Sequence, residues 1–244
     1  MNDPRKILSV TGKDALPFLQ DLITNDVARL RDGLVYAALL TPQGKYRADF
    51  FLVPRGEALL LDVAEPLAAG LVQALSLYKL RRDVTIEETD IDVTRGTGPA
   101  PEGAFADPRD ARMGWRGYDG QPGDEADWDA LRVAACVPQS GVELTPDSFI
   151  LEAGFERLNG VDFRKGCYVG QEVTARMKHK TELRKGLAPV AVEGTAPVGT
   201  EIEAGGKAAG VLYTQAGGAA LAYLRFDRAG PDMTAGDARV IWRG

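Results

Sequence analysis

Two residue types that usually carry chemistry are nearly missing from this chain. Its 244 residues include one histidine, His179, and two cysteines, Cys136 and Cys167. A single histidine excludes histidine-rich zinc and non-haem iron sites. Two thiolates cannot supply the four ligands of a self-contained iron–sulfur cluster, so no resident metal is expected. The cysteines lie far apart with no C-x-x-C spacing, which fits a reduced compartment better than a disulfide scaffold. No stretch reaches the roughly 18 uninterrupted apolar residues of a membrane helix. The start, Met1-Asn2-Asp3-Pro4-Arg5-Lys6, has neither the apolar core of a secretory signal nor an Arg/Ser-rich transit pattern. No repeat of 20–50 residues is visible. A formal net charge of −6 argues against nucleic-acid binding by the surface as a whole. These absences lead to the expectation of a soluble, cytoplasmic, monomeric protein with no membrane and no stable nucleic-acid partner.

Present in ordinary amounts are apolar residues, at 45%, and charged residues, at 26%, the balance of a globular protein with a sizeable core. Residues 6–10 read as a strand, and 14–23 as a helix with Ala15, Leu16, Leu19, Leu22 and Ile23 at helical spacing. The run 34–40, the turn Thr41-Pro42-Gln43-Gly44 and the alternating segment from Lys45 to Leu52 predict a hairpin. A strand follows at 58–63. Pro66 then opens a helix with Leu67, Leu71, Leu75 and Tyr78 on one face. Strands are expected again at 84–87 and 91–94. Between Gly96 and Gly123 the chain turns rich in Gly, Pro and Asp and reads as a loop-rich connection. A helix over 127–137 ends at Cys136, which suits a buried filler residue. After Lys185 five short strands, at 187–192, 200–203, 208–213, 219–226 and 239–242, predict a small barrel or sandwich. The texture divides the chain into 1–95, 96–183 and 184–244.

The densest chemistry is the octet Lys165-Gly166-Cys167-Tyr168-Val169-Gly170-Gln171-Glu172. A neighbouring ammonium favours a thiolate, and flanking glycines let a ligand approach the backbone. If a helix begins near Gly170, its dipole favours the thiolate further. Cys167 then suits a nucleophile, a metal ligand or a mixed-disulfide partner, and nothing in the sequence selects among them. A free cysteine can also be plain core packing. Tyr168 reads as packing against ligand or core. Gln171 and Glu172 would position Lys165 or a ligand, or cap the helix. The octet also resembles the K-G-C-Y-x-G-Q-E signature of the YgfZ-type folate-binding family. Those proteins are relatives of the glycine-cleavage T-protein, an aminomethyltransferase, and are linked to iron–sulfur cluster assembly and repair.

Three further stretches resemble the same superfamily. One runs from Val10 to Gln20 and on to Thr24-Asn25-Asp26, one from Thr41 to Asp49, and one is Phe149-Ile150-Leu151-Glu152-Ala153-Gly154. The likeness continues into Ala222-Tyr223-Leu224-Arg225. It implies that Glu152 holds a folate pterin. The chemistry agrees, because a pterin offers an amino group beside a ring N–H, two parallel donors for one carboxylate. It implies that Asp49 matches the aspartate that assists one-carbon transfer in the T-protein, although an acid on the polar phase of an alternating strand is by default solvated. A basic run of Arg176, Lys178, Lys180, Arg184 and Lys185, with Glu182 as its one acid, could meet a folate polyglutamate tail, a phosphate-bearing partner, or only solvent. His179 in that run reads as a surface residue.

The resulting expectation is an α+β fold resembling the T-protein, with two ferredoxin-like units and a C-terminal β-barrel around a folate cavity. The cofactor implied is tetrahydrofolate or a one-carbon derivative, held by Glu152, Gly166, Tyr168, Gly170, Gln171, Glu172 and Arg176. Cys167, Lys165 and Asp49 are the candidate reactive residues. The function implied is a folate-binding accessory protein acting with iron–sulfur client or assembly proteins. A folate-dependent aminomethyltransferase and a folate-independent docking protein stand as alternatives.

Overall fold

The computed structural model describes residues 4–180 and 182–244. Met1 to Asp3, part of the start read above as leaderless, lie outside it, as do Thr181 and the side chain of Lys180 in the basic run. The chain forms two compact units. One comprises the residues up to Ala126 together with Phe155–Ala175, the other Asp127–Gly154 together with Arg176–Gly244. The three-part division at 95 and 183 follows texture along the chain. The units follow contacts, and each joins two separate stretches.

In the first unit, β1 (Arg5–Thr11), β2 (Val35–Leu40), β3 (Tyr46–Arg55), β4 (Ala58–Ala64) and β5 (Thr85–Glu88) form an antiparallel sheet in the order β2-β3-β4-β1-β5. Alternation sorts their side chains onto two faces. Val35, Ala37, Leu39, Phe50, Leu52, Leu61 and Val63 lie on one face, in a core that α1 (Ala15–Gln20) and α2 (Glu65–Lys79) complete with Phe18, Leu19, Leu71 and Leu75. Burying each large apolar side chain there contributes about 1.5–3 kcal/mol. Pro66 sits in the first turn of α2, where its missing N–H costs nothing.

The opposite face is covered as well. Tyr36, Asp49, Phe51 and Asp62 are all buried on it. The stretch expected to be loop-rich supplies part of its cover. It contains β6 (Thr94–Gly96), β7 (Phe105–Ala106) and β8 (Trp115–Gly117), a small sheet in the order β6-β8-β7. Arg116 on β8 lies 4.0 Å from the centroid of the Phe51 ring and donates to Asp62 at 2.9 Å. Arg5 and Tyr118 donate to the same carboxylate at 2.6 and 2.9 Å. Asp107 accepts from Arg109 at 3.0 and 2.8 Å and from Arg116 at 3.3 Å. Burial works to raise both carboxyls, and the surrounding guanidiniums overcome it and hold them below their usual values. Such strands, two or three residues long between Gly and Pro, leave no alternation to read. The strand expected over 91–94 likewise begins only at Thr94.

The second unit carries α3 (Trp128–Ala135) and a closed six-stranded barrel. Its strands are β9 (Lys185–Glu193), β10 (Glu201–Ala204), β11 (Lys207–Ala216), β12 (Ala219–Arg225), β13 (Met233–Ala235) and β14 (Ala238–Ile241). Strand β9 alternates strictly, with Ala188, Val190 and Val192 inward. The three-residue β13 is the strand the sequence reading omits. Buried Arg132 ties α3 to β11, donating to Glu143 at 3.2 Å and to Thr214 at 2.9 Å. Cys136 caps α3 in the left-handed region and is buried, as expected.

Candidate functional sites

In the first unit the octet begins as a loop pinned to the chain around α1. Thr24 and Asn25 do the pinning. Thr24 Oγ1 donates to the Gly160 carbonyl at 2.7 Å, and Asn25 Nδ2 reaches the carbonyls of Tyr36 and Asn159 at 2.8 and 2.6 Å. Lys165 adds a third clamp. Its buried ammonium donates to the carbonyls of Gln20 and Ile23, both at 2.6 Å, and lies 5.3 Å from the centroid of the Tyr168 ring. Burial lowers this ammonium to about 8, against the opposing pull of Asp26, Asp21 and Asp162. Lys165 thus directs its hydrogen bonds at the backbone. Cys167, two residues on, is exposed.

The remaining octet residues divide in the same way. Tyr168 is buried, and its hydroxyl has no hydrogen-bond partner among the described residues. Burial pushes that phenol up to about 12. Gly166 is exposed, and a side chain there would meet nothing. Gly170 differs, because the protein's own hairpin turn fills its open side. A Cβ at Gly170 would lie 2.7 Å from the Thr41 carbonyl oxygen and 3.1 Å from Gly44 Cα. Gln171 and exposed Glu172 open α4 (Gln171–Lys180), and neither is a partner of Lys165.

Asp49 is the clearest departure from expectation. It is buried rather than solvated, and accepts from the Tyr36 hydroxyl at 2.9 Å and the Tyr46 hydroxyl at 2.6 Å. Burial first, then Asp49, pushes the Tyr36 phenol well above its ordinary value. The alternation argument fails here because both faces of β3 are covered. One sequence signal flags Tyr36 and Tyr46, which are absent from the expected site. A tyrosine in a strand core needs a partner for its hydroxyl.

The second unit contains Glu152 in a turn whose carbonyl accepts from the Leu187 N–H at 2.7 Å, tying it to the start of β9. Tyr223 on β12 donates to Glu152 Oε2 at 2.6 Å. Lys185 Nζ lies 3.9 Å from Oε1 and 5.6 Å from the Tyr223 ring centroid. Burial and the bond to Glu152 raise the Tyr223 phenol. A cavity of about 300 Å³ opens beside this carboxylate, lined by Glu152, Met177, Glu182, Arg184, Lys185 and Arg225 among others. Three cations and two acids therefore face one small space, at the lower end of the size range for small-molecule sites. Arg176 and His179 are exposed on α4. Two segments read separately from the sequence, 149–154 and 222–225, meet in the Tyr223–Glu152 bond.

With this geometry in hand, likeness to known proteins becomes informative. The iron–sulfur cluster assembly factor IBA57, mitochondrial, of Mus musculus is 33% identical over 91% of this chain and 76% of its own length. The chain belongs to the IBA57 family. Its Homo sapiens counterpart shows the same identity, 33%, over 91% of this chain and 76% of its length. Residues 184–243 match the family described as CAF17, C-terminal beta-barrel domain. The crystal structure of glycine cleavage system aminomethyltransferase T from Bartonella henselae superposes with a TM-score of 0.76 at 15% identity, covering 97% of this chain and 81% of that one. That identity shows fold alone, and the fold is the T-protein-like α+β arrangement expected from the sequence. One expectation falls. The IBA57 relatives are mitochondrial, against the cytoplasmic reading. Two separated cysteines indicate a reduced compartment, and that does not distinguish the cytoplasm from a mitochondrial interior.

Proposed function

We propose that this protein is an accessory factor in the assembly or repair of iron–sulfur proteins, that it binds tetrahydrofolate or a one-carbon derivative at Glu152, and that Cys167 is its reactive thiol. Membership of the IBA57 family, whose mouse and human members are named iron–sulfur cluster assembly factors, supports the first part. The observation that carries the folate reading is the Glu152 carboxylate beside a cation-lined cavity. Tyr223 occupies Oε2, while Oε1 has Lys185 only at 3.9 Å, so an acceptor edge remains for the paired donors of a pterin. Arg184, Lys185 and Arg225 suit the carboxylates of the folate tail. Such a cofactor would supply a one-carbon carrier.

The accessory role is favoured over a transferase by Asp49. A carboxylate already holding two tyrosine hydroxyls is poorly placed to serve a reacting amine. Cys167 suits an encounter with a client or assembly protein because it is the exposed cysteine, whereas Cys136 is buried. With two thiols in the whole chain, any cluster it meets must draw ligands from a partner.

Calorimetric titration with tetrahydrofolate and its 5-formyl derivative tests the proposal. Binding is expected in wild type and in Cys167→Ala, and weakened by Glu152→Ala. Absence of heat with either folate in the wild type would remove the folate part and leave a folate-independent docking protein.

A further inference from the structure

Leu80 is the most exposed large apolar side chain among the described residues, at 86%, and its backbone sits at φ 48°, ψ −112°. The Lys79 carbonyl accepts from the Arg82 N–H at 2.9 Å. Residues 79–82 are therefore a β-turn with Leu80 where type II′ geometry calls for glycine. Folding gains little from leucine at this point, because the side chain enters no core and the backbone resists it. An exposed outlier of this kind points to a use outside the fold.

Its surroundings indicate what that use is. Leu77, one helical turn earlier on α2, is 69% exposed, and Leu16 on α1 is 49% exposed. Asp14, Leu80, Arg81 and Arg82 line a cavity of about 630 Å³. Asp21 holds Arg82 at 2.6 Å, and Asp14 accepts from the Asp83 N–H at 2.8 Å. Lys13, Lys79 and Arg81 have no ion-pair partner among the described residues and outnumber the two acids left beside them, Asp14 and Asp83.

We propose that this corner of the first unit docks an acidic protein segment carrying an apolar side chain. The leucines anchor the apolar group, and the unbalanced cations select an acidic partner. The recess lined by Asp14, Leu80, Arg81 and Arg82 offers a place for a partner's side chain beside these charges. This inference stands independently of the folate reading.

The test uses the full isotope-labelled chain and two synthetic helical peptides. One is built from Glu, Ala and Leu with leucines one turn apart, and the other has Lys in place of Glu. The acidic peptide is expected to shift the amide resonances of Leu16, Leu77, Leu80 and Arg81, and the basic one to leave them unmoved. Leu80→Gly and Arg81→Glu should each weaken binding at least about tenfold, the scale of losing one anchoring contact. Leu80→Gly relieves the backbone, so a melting temperature at or above wild type separates lost binding from lost folding. Shifts confined to other residues, or equal affinity in Leu80→Gly, would overturn the proposal. So would Leu80-dependent self-association in sedimentation, or Leu80-dependent pelleting with anionic vesicles, which would assign the corner to a second copy or to a membrane.

Discussion

Asp49 and Glu152 are both acids within segments resembling one superfamily, and their surroundings are opposite. Asp49 lies inside a sheet covered on both faces, with a tyrosine hydroxyl on each carboxylate oxygen. Glu152 lies on a turn tied to a barrel strand, with one tyrosine on one oxygen and a cavity beside it. A resemblance can mark a position without marking its use. Whether an acid serves a ligand or the fold is decided by how many of its lone pairs the protein has already filled. On that criterion Asp49 serves the fold, whereas Glu152 keeps the free acceptor that our proposal assigns to a ligand, and this contrast can be broken by substitution.

The largest effect is expected behind Asp49, in the layer that seals its face. Asp62→Ala would leave Arg5, Arg116 and the Tyr118 hydroxyl buried without their shared acceptor. Removing one member of such a buried ionic group costs about 3–5 kcal/mol, so chemical denaturation should show a large loss of stability. A loss under about 1 kcal/mol, the range of exposed ion pairs, would mean that the layer does not seal the sheet. Next comes Glu152→Ala, expected to weaken folate binding by about 1.5–3 kcal/mol, the scale of a charge-assisted hydrogen bond. Unaltered affinity in calorimetry would place the pterin elsewhere.

Asp49→Ala sharpens the comparison by reversing the pattern. It removes the acceptor from two buried hydroxyls, costing about 1–3 kcal/mol of stability, while folate affinity should hold. A fall in folate affinity with intact stability would instead make Asp49 a binding residue, and would revive the aminomethyltransferase alternative.

The same contrast explains what was legible beforehand. The hairpin, the Pro66 helix, the α3 helix and most barrel strands carry their period and turn residues in the sequence, and they appear where expected. The cover over Asp49 is illegible for two reasons. Its strands are too short to show a period, and its ion pairs join residues as distant as Asp62 and Arg116, 54 positions apart. Buried arginines also run against the default that places them on the surface. At the second site Glu152, Lys185 and Tyr223 can each be named from the sequence, but their convergence needs the barrel. In the octet the order of residues suggests Lys165 acting on Cys167, whereas the fold turns the ammonium onto the carbonyls of Gln20 and Ile23.

That last placement predicts a dependence of stability on pH. A lysine in an unfolded chain titrates near 10.4, and burial brings Lys165 to about 8 in the folded protein. Below about pH 8 both states carry the proton, and the cost of burying the charged form is fully present. Between about pH 8 and pH 10.4 the unfolded chain binds more protons than the folded one, so this residue makes stability rise with pH across that window. Tyrosines raised by burial act in the opposite sense near the upper end, so the informative quantity is the difference between wild type and Lys165→Met. Denaturation midpoints at pH 7.5 and 9.5 should converge or diverge accordingly, with wild type gaining relative to the variant as pH rises. A constant difference would mean that Lys165 keeps its proton throughout. It would then be a permanently charged clamp on the loop that presents Cys167.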